Sequence, residues 1–165
     1  MKMSVQIQIV AAVEETSVSI ARELFREYAA TPGVGECVKD FALEVASLPG
    51  RYHAPEGRLL IATRKPSGSP AEIVGCVALR KFSETACEMK RLYVRPEFRG
   101  GGAGRTLVEA AVAEAQSIGY SKMLLDTLPT MQQAHKLYRQ MGFCEVTSYQ
   151  KNPVAGALFF ELELG

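Results

Sequence analysis

The chain has only two histidines, His53 and His135, and neither has a partner at metal-ligand spacing. That scarcity argues against a zinc centre or a Cys-His nucleophile. The four cysteines, Cys37, Cys76, Cys87 and Cys144, form no Cys-x-x-Cys pair, and three of them fall in strand-like runs. The expectation is small buried thiols in a reducing, cytoplasmic protein. No apolar run approaches the length of a membrane span, no block of five basic residues occurs, and the net charge is +1. A membrane or nucleic-acid partner held by bulk electrostatics is therefore not expected. The first residues alternate polar and apolar like a strand and lack the apolar centre of a signal peptide. No internal repeat breaks the 165 residues, which predict a single domain over 1–165.

Two phosphate-loop signatures are also missing. A Walker A loop needs Gly-x4-Gly-Lys-Ser/Thr, but Arg105 and Thr106 stand at that distance after Gly100. A dinucleotide fingerprint needs a third glycine where Arg105 or Leu107 stands. What is present, over 87–105, is a strand, a sharp turn and a glycine-rich entry into a helix. Such an entry exposes backbone N–H groups that can cradle a phosphate or pyrophosphate. Arg99 and Arg105 flank the glycines and can add charge-assisted hydrogen bonds. The competing reading is an ordinary glycine-rich surface turn.

Periodicity predicts a strand at 4–10 and a helix at 16–30 capped by Thr16 or Ser17, with Ile20, Ala21, Leu24, Phe25 and Tyr28 as its stripe. A second helix is expected at 35–48, with Val38, Phe41, Ala42, Val45 and Leu48 on one face. Strands follow at 58–63, 72–82 and 87–94 as an antiparallel meander, then a long amphipathic helix closed by Gly119. A buried strand at 122–127 is linked to the preceding strand through that helix, which implies a parallel pair. A helix at 130–141 and strands at 143–149 and 157–164 finish the chain.

One strand breaks parity. Cys87 and Met89 share one face, whereas Leu92 and Val94 have the opposite parity. If all four enter one core, an extra residue sits near Lys90 and Arg91 as a β-bulge, splaying the strand and opening a cleft. A regular strand buried on both faces is the alternative.

The spacing Arg99, Gly102, Gly104, after a strand ending Leu-Tyr-Val-Arg-Pro-Glu, resembles the coenzyme-A-binding motif of the GNAT family of N-acetyltransferases. A second stretch, 131–143, resembles that family's Ala, Leu-Tyr and closing Gly-Phe, here Ala134, Leu137, Tyr138, Gly142 and Phe143. With both motifs in the family's order, the chain is identified as a member. The resemblance implies an α/β (α+β) fold, a mixed central sheet of about seven strands with its fourth and fifth strands splayed, and about four helices. It implies acetyl-CoA as co-substrate and no metal. Leu92, Tyr93 and Val94 would pair with the pantetheine arm. Arg99, Gly100, Gly101, Gly102, Ala103, Gly104 and Arg105 would surround the pyrophosphate, although Arg105 could instead project into solvent.

The resemblance makes Tyr138 the proton donor to the departing thiolate. On helix spacing alone it belongs to an apolar stripe with Ala134, Leu137 and Met141. Glu88 lies eleven positions before Arg99, matching the general base of the histone-acetylating branch. The alternatives are an ion pair with Lys90 or Arg91 on a solvated strand, with water as the base. Asp126 and Thr127 stand where many relatives carry an asparagine, and His135 reads as a partly exposed helix residue.

The implied activity is transfer of the acetyl group from acetyl-CoA to a primary amine of a small molecule, by direct attack in a ternary complex. A peptide or protein amine, or a non-catalytic acyl-CoA sensor, are the other readings. The region implied for the acceptor supplies Tyr28, Glu36, Asp40, Tyr52, Tyr149 and Asn152. The resemblance also allows a homodimer, a pairing that no sequence feature specifies.

Overall fold

A computed structural model describes residues 5–34, 40–151 and 153–165. Seven strands, β1 (Ile7–Ala11), β2 (Arg58–Arg64), β3 (Glu72–Lys81), β4 (Ala86–Val94), β5 (Lys122–Thr127), β6 (Cys144–Val146) and β7 (Leu158–Glu163), form one sheet in the order β1-β2-β3-β4-β5-β7-β6. Four helices accompany them: α1 (Glu15–Ala30), α2 (Phe41–Ala46), α3 (Ala103–Ile118) and α4 (Gln132–Gln140). All strand neighbours are antiparallel except β4 and β5, which the α3 crossover makes parallel.

The sheet is covered on both faces, so β2 is apolar on both. Leu59 and Ile61 pack with Val18, Leu24, Phe25 and Val45 of α1 and α2. Leu60 and Ala62 pack with Leu107, Val108 and Ala111 of α3. The stripe expected of the first helix holds, with Ala21, Leu24 and Phe25 fully buried.

The bulge implied by parity is present. Cys76 pairs with Tyr93 and Ala78 with Lys90, so Arg91 and Leu92 together stand opposite Val77. Arg91 takes a left-handed φ of 60°, uncommon for a residue with a side chain. Cys87, Met89, Leu92 and Val94 consequently all face the α3 layer. Pairing of β4 with β5 runs only from Ala86 to Glu88, after which the two strands part. Gly75, beside the bulge, permits a close approach: a Cβ there would lie 2.1 Å from the Tyr93 carbonyl oxygen. Gly75→Ala should therefore destabilise the protein by about 1–3 kcal/mol through overpacking, read as a lower urea midpoint.

Several local expectations are corrected. The cap of α1 is Glu14, and the Ser17 hydroxyl donates back to the Glu14 carbonyl at 2.8 Å. The second helix covers only Phe41–Ala46, entered from Asp40 in a left-handed conformation; Val38 lies outside the described residues. The strand expected at 143–149 ends at Val146, which frees Tyr149 to turn inward. Cys76 and Cys87 are buried thiols, but Cys144 on the edge strand is exposed and Cys37 lies outside the described residues. Burial pushes the Cys87 thiol up to about 12. Among the described residues no helix is long and apolar enough to cross a membrane.

Candidate active site

The gap between β4 and β5 is the centre of two connected spaces. The outer one is a cleft of about 890 Å³, walled by Leu92, Tyr93 and Val94 of β4, the turn from Phe98 to Arg105, and Ala134 and Leu137 of α4. The inner one is a smaller cavity of about 290 Å³ reaching toward α1, α2 and the segment after β6. Tyr28, Leu92, Met131 and Ala134 belong to the walls of both.

The cleft ends at the start of α3. Gly102 caps the helix with φ 86°, a conformation that favours glycine, and the first helical bond is made by Thr106 to the Gly102 carbonyl at 3.1 Å. The N–H groups of Ala103, Gly104 and Arg105 precede that bond, and the helix dipole favours an anion in front of them. Arg99 donates from Nε to the Val94 carbonyl at 2.9 Å, which holds the turn against the strand end. Arg105 also borders the cleft, paired with Glu109 at 3.0 Å across one exposed turn.

The inner cavity is polar. Arg80, Lys90 and Arg91 line it against the carboxylates Glu44 and Asp126. Lys90 Nζ donates to Asp126 Oδ1 at 2.9 Å. Arg91 donates from Nε and Nη2 to both oxygens of Glu44, at 2.9 and 3.2 Å, and Glu44 also accepts from the Tyr52 hydroxyl at 2.8 Å. Tyr138 is 5% exposed and lines the same cavity, packed on Phe143 and Phe160.

A sheet whose bulge opens one parallel pair, with a glycine-capped helix at the mouth, calls for a family comparison, and the profile of the Acetyltransferase (GNAT) family matches residues 21–143. The chain belongs to the GNAT acetyltransferase family. It is 37% identical to an uncharacterised N-acetyltransferase of Schizosaccharomyces pombe over 142 residues, 86% of this chain and 85% of that one. It is 30% identical over 107 residues to the N-acetylaspartate synthetase of Danio rerio, covering 60% of this chain and 38% of that protein. A solved acetyltransferase of Salmonella typhimurium, holding its cofactor acetyl-CoA, shares the fold with a TM-score of 0.71 at 18% identity, over 96% of this chain and 94% of that one.

In this GNAT acetyltransferase, burial, with smaller effects of Tyr28 and Asp126, pushes the Tyr138 phenol above its usual range, so it is protonated at neutral pH. Burial pushes the Asp126 carboxyl up, but Lys90 and Gln150 outweigh it and hold the group below its ordinary value. The same balance, with Arg91 as the counterweight, lowers Glu44.

Glu88 is 2% exposed and lies behind Arg80. Its Oε1 accepts from Arg80 Nε and Nη2 at 2.9 and 2.8 Å, and its Oε2 accepts from the Tyr149 hydroxyl at 2.7 Å, with Lys90 Nζ at 3.9 Å. Glu88 is thus buried, and its closest cation is Arg80 on β3. His135 is a correction: it is 5% exposed, and its Nε2–H donates to the Leu128 carbonyl at 2.9 Å beside Thr127 Oγ1 at 3.2 Å.

Of the side chains expected around the acceptor, Tyr28 lines the inner cavity, Tyr52 supports Glu44, and Tyr149 supports Glu88. Asp40 is exposed, while Glu36 and Asn152 lie outside the described residues. Sequence reasoning missed Arg80, Glu44 and Lys90 as cavity residues. Only Lys90 and Arg91, flanking the parity break, carried a signal that could have pointed to them.

Proposed function

We propose that residues 1–165 act as a single acetyltransferase domain that moves the acetyl group of acetyl-CoA to a primary amine of a small molecule, by direct attack in a ternary complex. The observation that carries this reading is the shared wall between cleft and cavity, where Tyr28, Leu92, Met131 and Ala134 border both. A thioester lying along β4 meets an amine entering from the inner cavity, with no covalent carrier between them.

The pantetheine arm lies beside Leu92, Tyr93 and Val94, where β4 has lost its β5 partner. The pyrophosphate sits on the backbone from Gly100 to Gly104, with the remaining donors of Arg99 and those of Arg105 beside it. The amine nitrogen attacks the thioester carbonyl carbon, a backbone N–H of the splayed strand stabilises the oxyanion, and the C–S bond breaks. The leaving thiolate takes the proton of the Tyr138 phenol, and the proton that the attacking nitrogen sheds as the amide forms returns to the phenolate through water. Both oxygens of Glu88 are engaged, so the proton of the incoming ammonium leaves through water and Glu88 acts by holding Arg80. The inner cavity suits a small acceptor by its volume. The similarity to a protein named N-acetylaspartate synthetase, whose product is an acetylated small molecule, supports the same choice. The three described cysteines, all free thiols, support a reducing cytoplasmic setting.

Thermal unfolding with acetyl-CoA, coenzyme A, NAD and ATP in parallel tests the donor side. At one hundred times its dissociation constant a ligand adds about 2.7 kcal/mol of stability. The expected result is stabilisation by the two coenzyme A species alone, weakened by Arg99→Ala. Absence of any shift with acetyl-CoA overturns the reading.

A further inference from the structure

A cavity built only to receive a cationic amine would carry an excess of carboxylates. The inner cavity carries no such excess: Arg80, Lys90 and Arg91 line it against Glu44 and Asp126, with Glu88 behind Arg80 as the third carboxylate. We propose that Arg80 and Arg91 bind a carboxylate of the acceptor, so that the acceptor is a small amine of the amino-acid type with its ammonium turned to Asp126 and Tyr138. This inference rests on the acetyltransferase reading and names the substrate class for the same site.

The donor inventory supports it. Arg80 spends its Nε and Nη2 on Glu88, and Arg91 spends the same edge on Glu44. Neither Nη1 has a partner among the described residues, and none of their side-chain nitrogens or oxygens is buried without one. Both Nη1 groups therefore keep accessible surface, and both side chains line the cavity. A guanidinium has five donors in a planar fork, so a carboxylate behind it orients the group and leaves the opposite edge for another.

Both arginines are fixed before any ligand arrives. The left-handed φ of Arg91 turns its side chain toward α1 and α2, where its guanidinium lies 5.8 Å from the ring centres of both Tyr28 and Phe41. Glu44, its anchor, is pinned in turn by Tyr52. Arg80 is held by Glu88, itself pinned by Tyr149. Both guanidinium groups line the same cavity, each held by its own carboxylate. Asp126, on β5, lines the cavity too, paired with Lys90. The cavity therefore offers two oriented guanidinium groups and, on β5, a carboxylate on the walls that Tyr138 also lines.

The test uses matched acceptors at saturating acetyl-CoA: free α-amino acids, their α-amides and the corresponding decarboxylated amines. Wild-type protein should favour the free carboxylates by at least about tenfold in kcat/KM, the loss expected for one charge-assisted bond. Arg91→Met and Arg80→Met should each erase that preference, raising KM for the amino acids at least about tenfold more than for the amides. Should either variant fail to fold, Arg91→Lys and Arg80→Lys keep the charge and the internal pair but lose the fork, and should lose the same preference. Equal or better turnover of amides and decarboxylated amines by wild type overturns the inference and leaves the acetyltransferase reading standing. So does a parallel loss on all three series in the variants. Stabilisation by acetyl-CoA without turnover of any of the three also overturns the inference. Failure of acetyl-CoA to stabilise the protein is the separate result that overturns the acetyltransferase reading.

Discussion

Tyr138→Phe is expected to lower kcat by roughly 10²- to 10⁴-fold, the range for losing a positioned general acid, with acetyl-CoA binding unchanged. The substitution isolates the hydroxyl. The ring packs on Phe143 and Phe160 at centroid distances of 5.6 and 5.9 Å, contacts that phenylalanine keeps. The hydroxyl makes no hydrogen bond to the described residues, so its removal strands no buried partner. Stability should therefore stay near wild type while turnover collapses, and the two are measured by thermal unfolding and by release of coenzyme A thiol. The raised phenol also sets the pH behaviour. A group held above its ordinary value stays protonated through the neutral range, so titration of Tyr138 should not limit turnover below about pH 9. An unchanged kcat in Tyr138→Phe would return this residue to the core-packing role that its helix spacing alone describes.

Glu88→Gln should cost about 3 kcal/mol of stability, the lower end for removing one partner of a buried pair, because Arg80 stays 25% exposed on its side chain. For a protein of this size that is a fall of roughly 6–12 °C in Tm. Tyr149 would still find an oxygen at position 88, so the loss reports mainly on the charge facing Arg80. The catalytic consequence separates two roles. If Glu88 acts by holding Arg80, the variant loses activity through KM for the acceptor. If Glu88 takes the amine's proton itself, kcat falls with KM unchanged. The first outcome is expected, because Glu88 lies behind Arg80 with both oxygens engaged.

The parts of this arrangement legible in the sequence are those set by neighbours in the chain. The parity conflict between Cys87/Met89 and Leu92/Val94 located the bulge because a strand can reverse its faces only by adding a residue. The glycines from 100 to 104 located the turn into α3 because Gly100 and Gly102 adopt left-handed backbone. The acceptor side was not legible for the converse reason. Arg91 and Glu44 are 47 residues apart, Tyr149 and Glu88 are 61 apart, and Lys90 and Asp126 are 36 apart. Nothing in the local pattern of any of these residues distinguishes a cavity pair from a solvated surface charge. His135 failed similarly, since its burial depends on the Leu128 carbonyl left by the turn after β5. The second helix and the sixth strand are shorter than apolar spacing implies because Leu48, Phe143 and Tyr149 are packed from outside regular elements, and burial alone does not mark where an element ends.

The bulge also has a consequence for how such a protein can change its specificity over generations. Lys90 and Arg91 line only the inner cavity, Tyr93 and Val94 only the outer cleft, and Leu92, the bulge partner of Arg91, lines both. On the proposed function, the bulge thus divides donor recognition, which is largely a matter of backbone, from acceptor recognition, which is a matter of side chains. Replacements at positions 80, 90 and 91 can recast the acceptor's chemistry while the frame that meets the donor stays in register. A lineage built on this strand can diversify its acceptors without relearning its donor.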